Sequence, residues 1–259
     1  MRIKYIQTKD PRGIHVNDFI SKNYPHFINE PEPDVIFISG GDGAMLHAMQ
    51  EHHHHNKPFL GHAIGTLNFS MNQINKLEEF FPKLTAGKHK LYLLDLNAIR
   101  VWYIDQSGNK KEVGQAINDL VIGTHIMGYH HLSITSEDKS FNNLEFKGAG
   151  ICIATDFGST GYNFNLGGPV LPLGSDLWTI TGVISNRYIE DIIKVQPMTI
   201  KNLSKNSLVN IFIDGIDKEQ LLGFEEQILF ERGKMMQLAF LDKNEFMQKR
   251  VEIASRYRH

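Results

Sequence analysis

The feature that most constrains this chain is the stretch Val35 to Met49, an apolar run that ends in glycines and resumes as a helix. Val35, Ile36, Phe37 and Ile38 are β-branched or aromatic, the composition of a buried strand, and Pro31 and Pro33 punctuate its entry. Gly40, Gly41 and Gly43 force a turn, and Ala44 to Met49 follows with helical propensity. A strand that turns through glycine into a helix leaves backbone N–H groups free for an anion, with no side chains to obstruct it. Asp42 stands in the middle of that turn. A carboxylate there repels a bare phosphate, so it either takes a proton from an attacking hydroxyl, helps hold a metal, or simply caps the helix that follows. The first two readings point to phosphoryl transfer. The third makes the motif only a tight turn, and the stretch alone leaves all three open.

The rest of the chain frames the choice. Around the run, segments 2–7, 35–39 and 57–61 read as strands, alternating with helical spacing over 11–24, 44–51 and 75–84. That order predicts an α/β domain with a parallel sheet over residues 1–88. From Leu91 the pattern becomes alternation and turn chemistry, with a hairpin turn at Ser107 to Asn109 and strands expected at 91–104, 112–123, 130–136, 144–155, 177–184, 208–214 and 227–241. Residues 89–241 are therefore expected to form a β-rich domain. Asp242 and Glu245 have capping-box spacing, so a closing helix over 242–259 is expected, returning to the first domain.

Several function classes fall away. The net charge of -2 offers no field for nucleic acid or an anionic membrane. No apolar run approaches membrane-spanning length, and the N-terminus has no signal-peptide pattern, so a cytoplasmic protein is expected. Cys152, the one cysteine, lies in an apolar run and reads as a buried structural thiol. His52 to His55 invite a metal, but four adjacent histidines cannot all point one way, and they read as a solvated loop with opportunistic affinity. The phosphate loop Gly-x-x-x-x-Gly-Lys-Ser/Thr is absent. The dinucleotide fingerprint fails where Leu46 replaces its third glycine, and Asp156-Phe-Gly158 lacks the other protein-kinase motifs.

Two further blocks carry chemistry. Lys147 to Tyr162 runs from an apolar strand into Gly158, Ser159, Thr160 and Gly161, followed by a glycine pair at 167–168. Small residues beside an aromatic suggest a backbone-lined pocket, or alternatively a capped helix start. Asn118 and Asp119 interrupt the apolar strand Ala116 to Ile122, either as a bulge or facing a ligand.

Taken in order, Gly40 to Gly43, Asn118-Asp119 and the block from Gly158 to Pro169 resemble the NAD kinase family. Gly61 to Phe69 is similar to that family's Gly-x-x-x-Gly-x-Leu-Gly-Phe, and Ile213 to Gly215 to its late Asp-Gly element, so the resemblance spans about residues 35–215. It implies an α/β N-terminal domain and a β-sandwich-like C-terminal domain. It also implies transfer of the terminal phosphoryl group of ATP, with Mg²⁺, to the 2′-hydroxyl of the adenosine ribose of NAD, in a homodimer or homotetramer whose neighbouring subunit completes the site. By the same resemblance Asp42 is the base or orienting carboxylate, and Gly41 and Gly43 line the phosphate path. Phe69 sits by the adenine, Asn118 and Asp119 bind dinucleotide hydroxyls, and Thr160, Gly161, Tyr162 and Asn165 surround the nicotinamide or second ribose. The chain departs from the family at Ala149, where a carboxylate is missing, at Lys147 in place of Arg, at Asp119 in place of Glu, and at Asp156-Phe157. Asp156 is a candidate to restore the lost charge. These changes leave a second reading, a non-catalytic or weakly catalytic NAD(P)-binding sensor of the same fold.

Overall fold

The computed structural model describes residues 1–65, 68–124 and 128–244, and divides the chain into two compact units. The first comprises Met1–Leu96 with Met236–His259, the second Asn97–Met235.

In the first unit β1 (Ile3–Ile6), α1 (Ile14–Asn23), β2 (Val35–Gly40), α2 (Asp42–His52), β3 (Phe59–Ala63) and α3 (Leu77–Thr85) alternate as the sequence predicts. β1 pairs with β2 and β2 with β3, all parallel. Every residue of β2 is buried, as expected of a parallel strand covered on both faces. Under it Phe37 meets the edge of Phe81 from α3 with ring centroids 5.0 Å apart, and Val16 and Ile20 of α1 join the same core. Gly61 of β3 leaves room for the side chains packed on it: a Cβ there would collide with Met71 Sδ and stand 2.8 Å from Met45 Cε of α2.

The second unit is antiparallel. It begins in β4 (Tyr92–Ile104) and continues through β5 (Lys110–Ala116), β6 (Asp119–Gly123), β7 (His130–Ser136), β8 (Leu144–Thr155) and the short α4 (Tyr162–Asn165). β9 (Leu177–Ser185), β10 (Glu190–Lys194), β11 (Met198–Asn202), β12 (Val209–Ile213), β13 (Ile216–Leu222) and β14 (Gln227–Phe240) complete it. The predicted hairpin joins β4 to β5, its turn held by Asp105 accepting from the Ser107 and Asn109 amides at 2.8 Å each. β8 organises the unit, pairing with β7 along its first half, β6 along its second and β9 on the other edge. Trp178 and Phe230 pack in the core this creates.

Three expectations need correction. β10, β11 and β13 are strands where none was expected, and the run 112–123 is two strands broken at Ile117 and Asn118. The division falls at Leu96 and Met236 rather than at 88 and 241. Leu238 and Ala239 of β14 extend the parallel sheet beside Phe59 and Leu60, so the end of that strand belongs to the first unit. Of the expected closing helix, residues beyond Asn244 lie outside those described. No helix among the described residues is long and apolar enough to cross a membrane.

Candidate active site

In the first unit the chemistry gathers at the carboxyl end of β2, where ligands of parallel α/β sheets bind. Gly41 precedes α2, and Asp42 is its first residue. The opening N–H groups of a helix have no intrahelical partner and carry the positive end of its dipole. Asp42 does not cap α2. Its carboxylate instead reaches the loop that follows β3: the Phe69 amide donates to both oxygens at 3.0 Å, the Ser70 amide to Oδ1 at 2.8 Å and the Ser70 hydroxyl to Oδ1 at 2.5 Å. Oδ1 is saturated, whereas Oδ2 takes a single donor. The side chain is thus fixed in orientation with one oxygen able to accept a further hydrogen bond.

Beside it a cleft of about 460 Å³ is lined by Thr8, Lys9, Arg12, Gly40, Gly41 and Gly43 among others. A Cβ on Gly43 would meet nothing within 4 Å, so the space above the turn is open. Arg12 is engaged by Asp10 at 2.6 Å. Phe69, half-buried, contributes its backbone to the Asp42 cradle.

In the second unit the break between β5 and β6 is the focus. Asp214, at φ 51°, follows β12 and accepts from the amides of Ile117, Asn118 and Asp119 at 3.0, 2.7 and 3.2 Å. That clamp interrupts the strand and turns Asn118 out half-exposed. The Asp119 carboxylate is 6% exposed and accepts no hydrogen bond among the described residues. Burial, reinforced by the nearby charge of Asp214, pushes its pKa up to about 7. Tyr162, at the start of α4 and 42% exposed, stands within its field: burial, then Cys152 and Asp119, raise the phenol.

The turn after β8 is brought against this break. The Thr155 amide and hydroxyl bond the carbonyls of Asn118 and Ile117 at 2.9 and 2.6 Å, and Gly158 lies directly on the Asn118 backbone. Asn163, which sequence reasoning left unassigned, is the buried hub of the turn. Its amide donates to the Ser159 and Pro169 carbonyls, and its oxygen accepts from Thr179 and Thr181. Gly158 is thereby held on the Asn118 backbone and Tyr162 within the field of Asp119, with Asn165 exposed on α4.

Two candidates lie elsewhere. Asp156 is buried, with its carboxylate accepting from the amides of Phe157, Gly174 and Ser175 at 2.7, 2.6 and 3.1 Å, so it orders the segment between β8 and β9. Lys147 is exposed near the start of β8, roughly 26 Å along the strand from Thr155 at about 3.3 Å per residue.

Asp119 has a direct consequence for stability. The folded chain keeps its proton up to about pH 7, while the unfolded chain releases it near 3.8. Between these values the folded state binds more protons, so this group's contribution to stability falls as pH rises from about 4 to about 7. Asp119→Asn removes that penalty. Thermal unfolding is expected to show the variant more stable than wild type at about pH 8 and no more stable at about pH 4.

No protein-family model matches the chain. It is 30% identical over 188 residues to the NAD kinase of Rickettsia canadensis, covering 72% of this chain and 70% of that protein. To the NAD kinase of Hyphomonas neptunium it is 29% identical over 187 residues, with coverage of 72% and 70%. Among solved structures, yeast NADH kinase complexed with NADH superposes with a TM-score of 0.78 at 18% identity, over 100% of this chain and 89% of that one. An NAD kinase from Archaeoglobus fulgidus in complex with ATP gives 0.71 at 15% identity, over 98% and 99%. The glycine turn with its fixed carboxylate and these relatives together define the protein as a kinase, a phosphotransferase enzyme. The chain belongs to the NAD kinase family.

Proposed function

We propose that the chain transfers the terminal phosphoryl group of ATP to the 2′-hydroxyl of the adenosine ribose of NAD, yielding NADP and ADP. The observation that carries this reading is the Asp42 carboxylate, held from one side by Phe69 and Ser70 with Oδ2 left to receive a hydroxyl. In the step, ribose O2′ forms a bond to the terminal phosphorus, the bond from that phosphorus to the bridging oxygen breaks, and ADP leaves. Asp42 accepts the hydroxyl proton or aims the hydroxyl while that proton passes to water. Phosphoryl transfer needs mainly positioning and charge neutralisation. The helix N-terminus at Gly41 and Gly43 and the cation Lys9 in the adjoining cleft suit the donor phosphates.

Asn118, Asp119 and Tyr162, with Thr160, Gly161 and Asn165, bind the dinucleotide, the Asp119 carboxylate accepting from its hydroxyls. The donor set fits a magnesium ion that arrives on the nucleotide. Mg²⁺ is ordinarily held by substrate phosphates and one or two carboxylates, and with Asp42 Oδ2 given to the ribose hydroxyl the nucleotide phosphates would supply most of its ligands. When bound, it neutralises phosphate charge. The test is direct: purified protein with ATP, Mg²⁺ and NAD forms NADP, read by an NADP-specific dehydrogenase. NAD binding in calorimetry without NADP formation rejects the reading in favour of the sensor.

The β9–β10 hairpin, with Lys147 beside it, supports an oligomer. The hairpin exposes Ile184 at 70%, Tyr188 at 87% and Ile192 at 46%, and Asn186 bonds the Lys147 backbone beside it. An apolar surface of this kind marks a protein interface, and at its edge Lys147 reaches the dinucleotide of a neighbouring subunit. Tyr188→Glu is expected to reduce the mass in light scattering and raise the KM for NAD while the protein stays folded. An unchanged mass contradicts the assignment.

A further inference from the structure

The histidine run at the far end of α2 does not behave as a loose loop. His53–His55 form a 3₁₀ turn closed by Asn56 at φ 52°. Side chains three apart eclipse in such a turn, and His52 and His55 accordingly stack with centroids 6.0 Å apart. His54 lies against His55 at 4.2 Å. One ring nitrogen from each of His52, His54 and His55 lies within 4.8 Å of the other two: the four do not all point one way, but three of them converge.

The hydrogen bonds sort the four histidines. His54 Nδ1 lies 3.1 Å from the Glu51 carbonyl. A carbonyl can only accept, so Nδ1 carries the hydrogen and Nε2 presents its lone pair, the arrangement that orients metal-binding imidazoles. His53 Nδ1 is turned to the Gln50 carbonyl at 2.8 Å, and His53 is not one of the three. His52 Nδ1 is buried with no hydrogen-bond partner. The Glu51 carboxylate stands 4.0 Å from His52 Nε2 as an oxygen donor. The site also sits at the negative end of the α2 dipole.

We propose that His52, His54 and His55 form a binding site for a divalent transition-metal ion of the zinc type, with Glu51 or water in the fourth position. Tetrahedral ligation at about 2.0–2.1 Å brings the nitrogens closer than they stand, a movement that side-chain rotation supplies. Imidazole donors select Zn²⁺, Cu²⁺ or Ni²⁺ over Mg²⁺, so the site is separate from the nucleotide's ion.

The experiment is calorimetric titration of Zn²⁺ into the chelator-stripped full-length protein. Binding of one Zn²⁺ per chain is expected. His52→Gln, His54→Gln and His55→Gln should each weaken it about ten-fold or more, while His53→Gln leaves it unchanged. Circular dichroism checks that each variant is folded, and a Zn²⁺-dependent rise in Tm, present in wild type and His53→Gln and absent in the other three, gives a second reading. Loss on His53→Gln equal to the others would mean a flexible oligohistidine that binds through any neighbours, and would overturn the proposal. So would an absence of binding.

Discussion

Asp42→Asn is expected to lower kcat for NADP formation by about 10²–10⁴, the range for loss of a positioned proton acceptor. The substitution is close to isosteric, and its consequences separate cleanly. The asparagine oxygen can keep the Ser70 amide and hydroxyl now held by Oδ1. Its NH₂ then faces the Phe69 N–H, which loses its contact at that position but keeps the one to the retained oxygen, at a cost of at most about 1 kcal/mol. The fold therefore survives with a modestly lower Tm, while the oxygen that receives the ribose hydroxyl has become a donor. Steady-state kinetics with ATP and NAD, beside circular dichroism of the same sample, checks both halves. A folded variant with unchanged kcat removes Asp42 from the chemistry.

Gly158→Ala is the second large effect, and it acts through the backbone. A Cβ at this position would stand 2.0 Å from the Asn118 carbonyl oxygen, 2.4 Å from its carbon and 2.5 Å from its Cα. None of these atoms is free to retreat. The Asn118 oxygen accepts from the Thr155 amide, and the Asn118 amide is clamped by Asp214. Overpacking a yielding core costs about 1–3 kcal/mol, and a clash with pinned backbone lies at or beyond the top of that range. The variant is expected either to fail to fold or to fold with the turn lifted from β6. In the second case NAD binding is lost, because Thr160, Gly161 and Tyr162 move with the turn. Denaturant unfolding and NAD calorimetry on one preparation check this. A variant with wild-type stability and affinity contradicts the contact.

The two residues also mark how far the sequence could be read. β2 was legible because four consecutive buried apolar residues have few other uses, and the glycine turn because glycine and aspartate in series disrupt both helix and strand. What Asp42 does was not legible, since its partners lie at Phe69 and Ser70, 27 and 28 positions away. Such pairings are tertiary and leave no local pattern. The break at Asn118 showed as two polar residues in an apolar strand. Its cause, the Asp214 clamp, lies 96 positions on and gave only a motif without a role. β10 and β13 escaped because Glu190 to Lys194 and Ile216 to Leu222 are short and largely polar, and edge-type strands need no continuous apolar run. The amide partners of Asp156 were hidden for a related reason: two of the three, Gly174 and Ser175, lie 18 and 19 positions on.

Phosphoryl transfer by this chain depends on one contact, the ribose 2′-hydroxyl on Asp42, and a crystal structure with NAD bound measures it. The expected result is the adenosine 2′-hydroxyl oxygen within about 2.6–3.2 Å of Asp42 Oδ2. A bound NAD whose 2′-hydroxyl points away from Asp42, or sits beyond the reach of a single bridging water, contradicts it.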